Sequence, residues 1–148
     1  MFTNIETALV DVLKAALADV HILTADELSD IEEGRQPTPA VHVIYNGYRV
    51  VGDRPDKTAA QVAMTWLTVV AVRNVRDRRG GSDSRQDAVA LTEKIAGKLL
   101  GHHVTGSVGP LALTNAPAPA GNNGFLYVPL AWSVETILKR ADLSTERS

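Results

Sequence analysis

The stretch that decides the fold runs from Gln61 to Val75 and reads QVAMTWLTVVAVRNV. Its side chains alternate between two faces, and both faces are largely apolar, which is typical of a strand covered on both sides. One face carries Val62, Met64, Trp66, Thr68, Val70 and Val72. At about 3.3 Å per residue this strand would span about 45–50 Å. The sequence therefore predicts a long central strand that extends beyond the body of a small domain.

Two more strands are predicted beside it, at Ala40–Val51 (AVHVIYNGYRVV) and Phe125–Leu138. Asn46-Gly47 interrupts the first, and because both residues tolerate positive φ the pair predicts either a hairpin turn or a bulge. Pro129 in the second has no N–H to donate and predicts an edge position or a bulge. Trp66 and Trp132 lie on apolar strand faces, and we interpret both as core residues.

Two main helices are predicted before and after these strands. The first covers 4–18, with Thr3 and Glu6 forming a capping box, and the second begins at Ser82 or Asp83 and ends near Leu100. Shorter elements are a β segment at 20–23, an acidic helical turn within 24–33, and a strand at 104–113 interrupted by glycines. The order predicts an α+β domain over residues 1–138, with a mostly antiparallel sheet, two main helices packed on it and a flexible tail at 139–148.

Composition excludes several classes of protein. The chain has 148 residues, of which 45% are hydrophobic and 22% charged, as in a single globular domain. It contains no cysteine, so disulfide frameworks, thiolate metal sites and cysteine nucleophiles are excluded. No apolar run is long enough to cross a membrane, and the first residues lack the basic segment of a secretory signal. We therefore expect a protein of an intracellular compartment.

The charges are distributed unevenly along the chain, although the net charge is only −2. Residues 1–34 carry eight acidic residues and one basic residue, whereas residues 49–98 carry ten basic and six acidic residues. This asymmetry is compatible with two faces of opposite sign, which a self-associating protein can use, or with ordinary solvated surface.

The motifs of common enzyme chemistry are missing from the sequence. There is no Walker-type glycine–lysine loop, no GxGxxG and no GxSxG. Gly80-Gly81-Ser82 precedes a helix, but no lysine follows it, so a turn with a helix cap is favoured over an anion site. The adjacent His102 and His103 would diverge, and Asp53 and Asp56 fit turn chemistry. We expect no catalytic, cofactor-binding or metal-binding residue, and no cofactor.

Two loops remain as candidates for binding. The first loop and the start of the next helix contain five arginines, which we take as a candidate partner interface: Arg73, Arg76, Arg78, Arg79 and Arg85. A solvated connection or contact with DNA phosphates would also suit them. The second loop, Asn115–Gly124, is rich in alanine, proline and glycine, and is either a mobile tip that orders against a partner or a long hairpin.

The order of the elements, together with several short phrases, resembles a known family. The phrases are Ile5–Leu9 (IETAL), Pro39–Gly47 (PAVHVIYNG), Trp66–Arg73 (WLTVVAVR), Ser84–Ala88 (SRQDA) and Tyr127–Trp132 (YVPLAW). Over residues 3–138 the chain resembles the small tail proteins of Mu-like contractile-tailed phages and prophages, and more broadly the tail terminator proteins. The family has no invariant catalytic signature.

The resemblance implies a structural role in the virion. Tail terminators are α+β proteins that form hexameric rings. Such a ring caps the head-proximal end of the tail tube, stops its polymerisation and provides the surface for head attachment, while DNA passes through the lumen as cargo. The implied partners are other copies of the chain, the tube protein and a neck or head-completion protein, met in the host cytoplasm during assembly and without a membrane.

Three other functions stay open at this point. The chain can be a different neck or head-completion connector of the same virion, which would purify with heads rather than tails. It can be a small ligand-binding α+β module, which would need a concave apolar pocket with a few polar groups. An enzyme would need titratable residues that only the fold brings together.

Overall fold

The central element of the fold is β3 (Ala59–Arg73), the long strand predicted from the sequence. The computed structural model describes residues 2–73 and 80–140. β3 pairs antiparallel with β2 (Ala40–Asp53) on one side and with β6 (Phe125–Lys139) on the other. Its pairing with β6 continues without a register shift from Ala59 to Arg73. The prediction of a central strand is therefore confirmed.

Three short strands complete the sheet at its two edges. β1 (His21–Thr24) pairs in parallel with the start of β2. β4 (Ala112–Thr114) and β5 (Ala120–Asn122) both pair antiparallel with β6. The strand order is β1-β2-β3-β6-β4, with β5 also on β6. Only the β1–β2 pair is parallel among these, which confirms the predicted α+β fold with a mostly antiparallel sheet.

Two long helices, α1 (Phe2–Ala16) and α3 (Gly80–Leu99), cover one face of this sheet. The apolar residues of α1 recur at helical spacing, and Ile5, Leu9 and Leu13 are fully buried in the main core. α3 contributes Ile95 and Leu99 to the same core. The two main helices are as predicted, although α3 begins two residues before the predicted cap at Ser82.

The predicted capping box is at the wrong threonine. α1 begins at Phe2, so Thr3 lies within its first turn, whereas an N-cap residue needs extended backbone. Thr24 ends β1 with extended backbone and caps α2 (Ala25–Ser29). There the Thr24 hydroxyl accepts from the Glu27 N–H at 3.4 Å, and the Glu27 carboxylate accepts from the Thr24 N–H at 3.1 Å.

Both tryptophans are core residues, as predicted. Trp66 on β3 lies directly opposite Trp132 on β6, and their exposed fractions are 1% and 0%. The indole N–H of Trp132 donates to the buried hydroxyl of Thr68 at 3.0 Å. A buried indole N–H usually finds such a partner, so this bond fixes the position of Trp132 in the core.

The two Asn-Gly pairs of the sequence have different roles. Asn46-Gly47 is a bulge within β2, because the register with β3 shifts between Tyr45 and Tyr48 and Gly47 has φ +94°. Asn123 and Gly124 have φ of 51° and 84° and form the two-residue turn between β5 and β6. Positive φ at both positions is what such a hairpin turn requires. The second loop therefore ends in a short hairpin.

The predicted strand at 104–113 is wrong for most of its length, since among the described residues only a single bridge, between His103 and Pro110, forms before β4 begins. Glycines and a turn held by the Ser107 hydroxyl interrupt it.

Pro129 lies in β6 between the residues that pair with β5 and those that pair with β4. Neither β4 nor β5 therefore requires a hydrogen bond from the N–H that proline lacks. Most of the predicted tail, 141–148, lies outside the described residues.

Candidate assembly surfaces

The predicted arginine cluster is only partly described by the structure. Arg73 is the last residue of β3, and its guanidinium lies 4.9 Å from the centre of the Phe125 ring, opposite it on β6. Arg85 is exposed on α3. Arg76, Arg78 and Arg79 lie outside the described residues. The structure thus places Arg73 at one end of the sheet, where a cation–π contact orients it.

Three acidic residues, Glu6 on α1 and Asp26 and Glu27 on α2, lie near one another. The pKa of Glu6 on α1 is raised, first by burial and then by the nearby carboxylates of Asp26 and Glu27. These like charges repel and disfavour the ionised form of Glu6. The basic residues of the middle region do not form one opposing face. They are divided among the β2–β3 hairpin, the end of β3 and α3: Arg49, Arg54, Lys57, Arg73, Arg85, Lys94 and Lys98.

Hydrogen bonds to Glu33 hold the second loop level with the start of β2. Glu33 begins a single turn of 3-10 helix (Glu33–Arg35), and its carboxylate accepts hydrogen bonds from the Tyr127 hydroxyl at 2.7 Å and from the side-chain amides of Asn122 and Asn123. These bonds, that of Tyr127 foremost, lower the pKa of Glu33. They stabilise the charged form and hold the β5–β6 hairpin beside the 3-10 turn.

A small cavity of about 240 Å³ lies beneath this hydrogen-bond network, on the sheet face opposite α1 and α3. Its lining includes His42, Gln36 and Tyr127. His42 is 6% exposed, and burial lowers its pKa, so the neutral imidazole is favoured. Nε2 of His42 and Oε1 of Gln36 have no hydrogen-bond partner among the described residues. No local motif of the sequence marks this cavity, because Tyr127 lies far along the chain from the other lining residues.

The two edges of the sheet are open and differ in character. β1 pairs with β2 only as far as Val43, and no strand of the described chain lies beside the rest of that edge. There Tyr48 and Val50 are 56% and 59% exposed. At the other edge every residue from Ala112 to Gly124 is exposed. That segment lies within a stretch, 101–134, that contains no aspartate, glutamate, lysine or arginine.

A metal-ligand cluster and a membrane-spanning helix are both absent from the part of the chain that the structure describes. Within 2–73 and 80–140, no three histidine or acidic side chains come together as a metal site would require. Among the helices that the structure describes, none combines the length and apolar character of a membrane span.

Comparison with known protein families identifies a match over most of the chain. A family model described as phage tail terminator protein matches residues 5–144, from the first turns of α1 to beyond the end of β6. No curated protein matches the chain.

Proposed function

The chain belongs to the phage tail terminator family, a family of structural tail proteins, and from this premise we propose that it caps the tail tube. In the proposal, six copies form a ring on the head-proximal end of the tube. The ring stops tube polymerisation and presents the surface to which the head attaches, while DNA passes through its lumen. The observation that carries the proposal is the family match, which includes every strand of the sheet.

The edges of the sheet support a ring of identical subunits. A closed ring is built from heterologous contacts, in which one surface of each copy meets a different surface of the next. The chain offers two such surfaces on one sheet, the aromatic edge of β2 and the uncharged edge around β4. The role is architectural and involves no catalysis, and the source is a Mu-like phage or prophage.

We assign contact with the other tail components to the arginine cluster. Arg73, Arg76, Arg78, Arg79 and Arg85 would face the tube protein or the neck protein, because guanidinium groups bind carboxylates of a partner in a bidentate manner. Reversing the charge of Arg78 and Arg79 together should reduce tail capping while leaving the melting temperature of the monomer unchanged. Normal yields of capped tails from that variant would refute the assignment.

The direct test measures assembly and tail binding on one sample. The mass of the purified protein in solution and negative-stain images should show rings of about six subunits, as the proposal states, or rings should appear after isolated tails are added. Binding at one end of the tails only is the expected result. A monomer that binds no tails but purifies with heads would instead identify another neck or head-completion protein.

A further inference from the structure

Among the described residues, no strand pairs with the edge of β2 beyond Val43. From Tyr45 to Val51 the strand contains no proline and only one charged side chain, Arg49. Natural sheets usually protect an open edge with charges, prolines or a covering element, because its free N–H and C=O groups pair readily with another chain. The bulge at Asn46-Gly47 twists this edge but leaves a run of strand beyond it.

The same edge carries an exposed apolar strip on the helix-covered side of the sheet. Tyr45 is 38% exposed and its ring lies 5.2 Å from that of buried Trp66. Tyr48 and Val50 are more exposed than Tyr45, and they continue the strip toward the hairpin. Tyrosine is enriched in protein interfaces, whereas lysine, glutamate and aspartate are depleted, and this strip has two tyrosines and no charged side chain.

The opposite edge has complementary properties. The segment Ala112–Asn122 comprises β4, β5 and the connection between them. It is exposed throughout and contains no charged residue. Leu113 within it is 52% exposed. Such a segment gives a nucleic acid or a strongly charged protein nothing to bind electrostatically, but it can cover tyrosine and valine side chains without leaving a charge buried. Against a charge-rich surface of this chain, the same segment would bury charged side chains without offering them an oppositely charged partner.

The directions of the strands also fit. β2 and β6 run one way and β3 and β4 run the other, because each successive pair is antiparallel. Through β3 and β6, the register places Leu113 and Thr114 level with Tyr45 and Ile44, and Ala120 level with Ala40. Strands of closed sheets are inclined to the axis, so rotation of a second copy about such an axis also shifts its β4 along β2 and brings it beside the edge beyond the bulge in antiparallel orientation. Repeating the same rotation continues the contact from copy to copy, as a closed ring requires.

We propose that the edge of β2 beyond its bulge, Tyr48–Asp53, pairs with the segment Ala112–Asn122 of the neighbouring copy of this chain. The inference rests on the proposed ring and names the surfaces that hold it together. Backbone hydrogen bonds set the register of the contact, and Tyr48 and Val50 lie against the uncharged segment.

Cross-linking tests the contact directly, because the chain has no cysteine of its own. Tyr48→Cys is introduced in one preparation and Ala116→Cys in another, and the two are mixed and treated with a short bismaleimide. A cross-linked heterodimer is expected from the mixture, and neither variant should cross-link by itself. The variant that carries both substitutions should give a ladder beyond the dimer. Val89→Cys, at an exposed position on α3, replaces Tyr48→Cys as the matched control and should give no heterodimer.

Each outcome decides between the two proposals. Assembled rings without the heterodimer would overturn this inference and leave the proposed function standing. Cross-linking of Tyr48→Cys to itself would show a β2–β2 contact and would also overturn the inference. A chain that forms no assembly, either in solution or on isolated tails, would overturn both proposals.

A second variant tests the same contact without any cysteine substitution. Val50→Lys places a charge within the proposed contact but leaves the folded monomer unaffected, since Val50 is exposed. The assembled fraction should fall at least tenfold at equal concentration, with an unchanged melting temperature. Val89→Lys adds the same charge on α3 and should leave assembly unchanged. Equal assembly of Val50→Lys and Val89→Lys would refute the contact.

Discussion

The two parts of β2 have similar side chains but different surroundings. Ala40–Val43 lie between β1 and β3, with α1 against one face and α2 against the other, and all four residues are buried. From Tyr48 to Asp53, β3 is the only strand of the described chain beside β2, and every residue is exposed. Valine, which favours strands, occurs twice in each part, so β propensity does not distinguish them. The number of neighbouring elements determines which part belongs to the core.

This difference separates stability from assembly. The buried part contributes to the free energy of unfolding of a single copy, because its apolar area is removed from water on folding. The exposed part leaves apolar area in contact with water, which association with another copy can remove. The same strand therefore provides core at one end and an assembly surface at the other.

The largest expected effect comes from a matched pair of valines on one face of β2. Val43 is 0% exposed and Val50 is 59% exposed. Val43→Ala should lower the free energy of unfolding by about 2–3 kcal/mol, through lost burial and the cavity left behind. Val50→Ala should change it by less than about 0.5 kcal/mol, as is usual at exposed positions. Urea denaturation followed by tryptophan fluorescence measures both. Equal losses would remove the distinction between the two parts.

A smaller effect is expected at the bulge that divides the two parts. Gly47 has φ +94° and an added Cβ would touch nothing, so the cost of Gly47→Ala is conformational only. We expect a loss of about 1–2 kcal/mol, because side chains disfavour left-handed backbone. Gly52, on the same strand, has open space and no such φ. Gly52→Ala should therefore be neutral or slightly stabilising in the same denaturation experiment. A neutral Gly47→Ala would mean that the bulge can relax.

The sequence predicts this molecule best where the pattern is local and long. The alternation over Gln61–Val75, with both faces apolar, is typical of a central strand that other layers cover on both faces, and this pattern was enough to place β3 at the centre. The choice between a hairpin and a bulge at Asn46-Gly47 depended on whether the strand continues beyond it. Both residue types tolerate positive φ, although in the structure only Gly47 of this pair adopts it, whereas Asn123 and Gly124 both do. Local signals do not resolve that choice, because the pairing partner β3 decides it.

The candidate surfaces were harder to predict for the same reason. The arginines are conspicuous in the sequence, whereas the open edge of β2 follows only from the shortness of β1, four residues against fourteen. The network around Glu33 joins residues about ninety positions apart, so no spacing rule reveals it. The absence of charge from 101–134 could have been read from the sequence, and it was the signal that pointed to the second edge.

The smallest effect concerns His42, which lies in the buried part of β2. Burial lowers its pKa below the ordinary value of 6.5, so the unfolded chain takes up this proton at a higher pH than the folded chain does. The stability that His42 provides is thus complete above about pH 7 and is lost as the pH falls through 6.5. Between pH 7 and pH 6 the loss should be at most about 0.7 kcal/mol, which one proton with that ordinary pKa allows.

Two variants separate this effect from other titrations. His42→Phe removes the ionisable group and should flatten the dependence of the urea midpoint on pH between 7 and 6, whatever its effect on the midpoint itself. His103→Gln, at an exposed position, should keep the dependence of the parent chain. The pKa of Glu33 is also lowered, by its hydrogen bonds, but its contribution is lost only as the pH falls below its ordinary value of 4.5. If the urea midpoint of His42→Phe still depends on pH between 7 and 6, His42 in the buried part of β2 is not the group that makes stability depend on pH in this range.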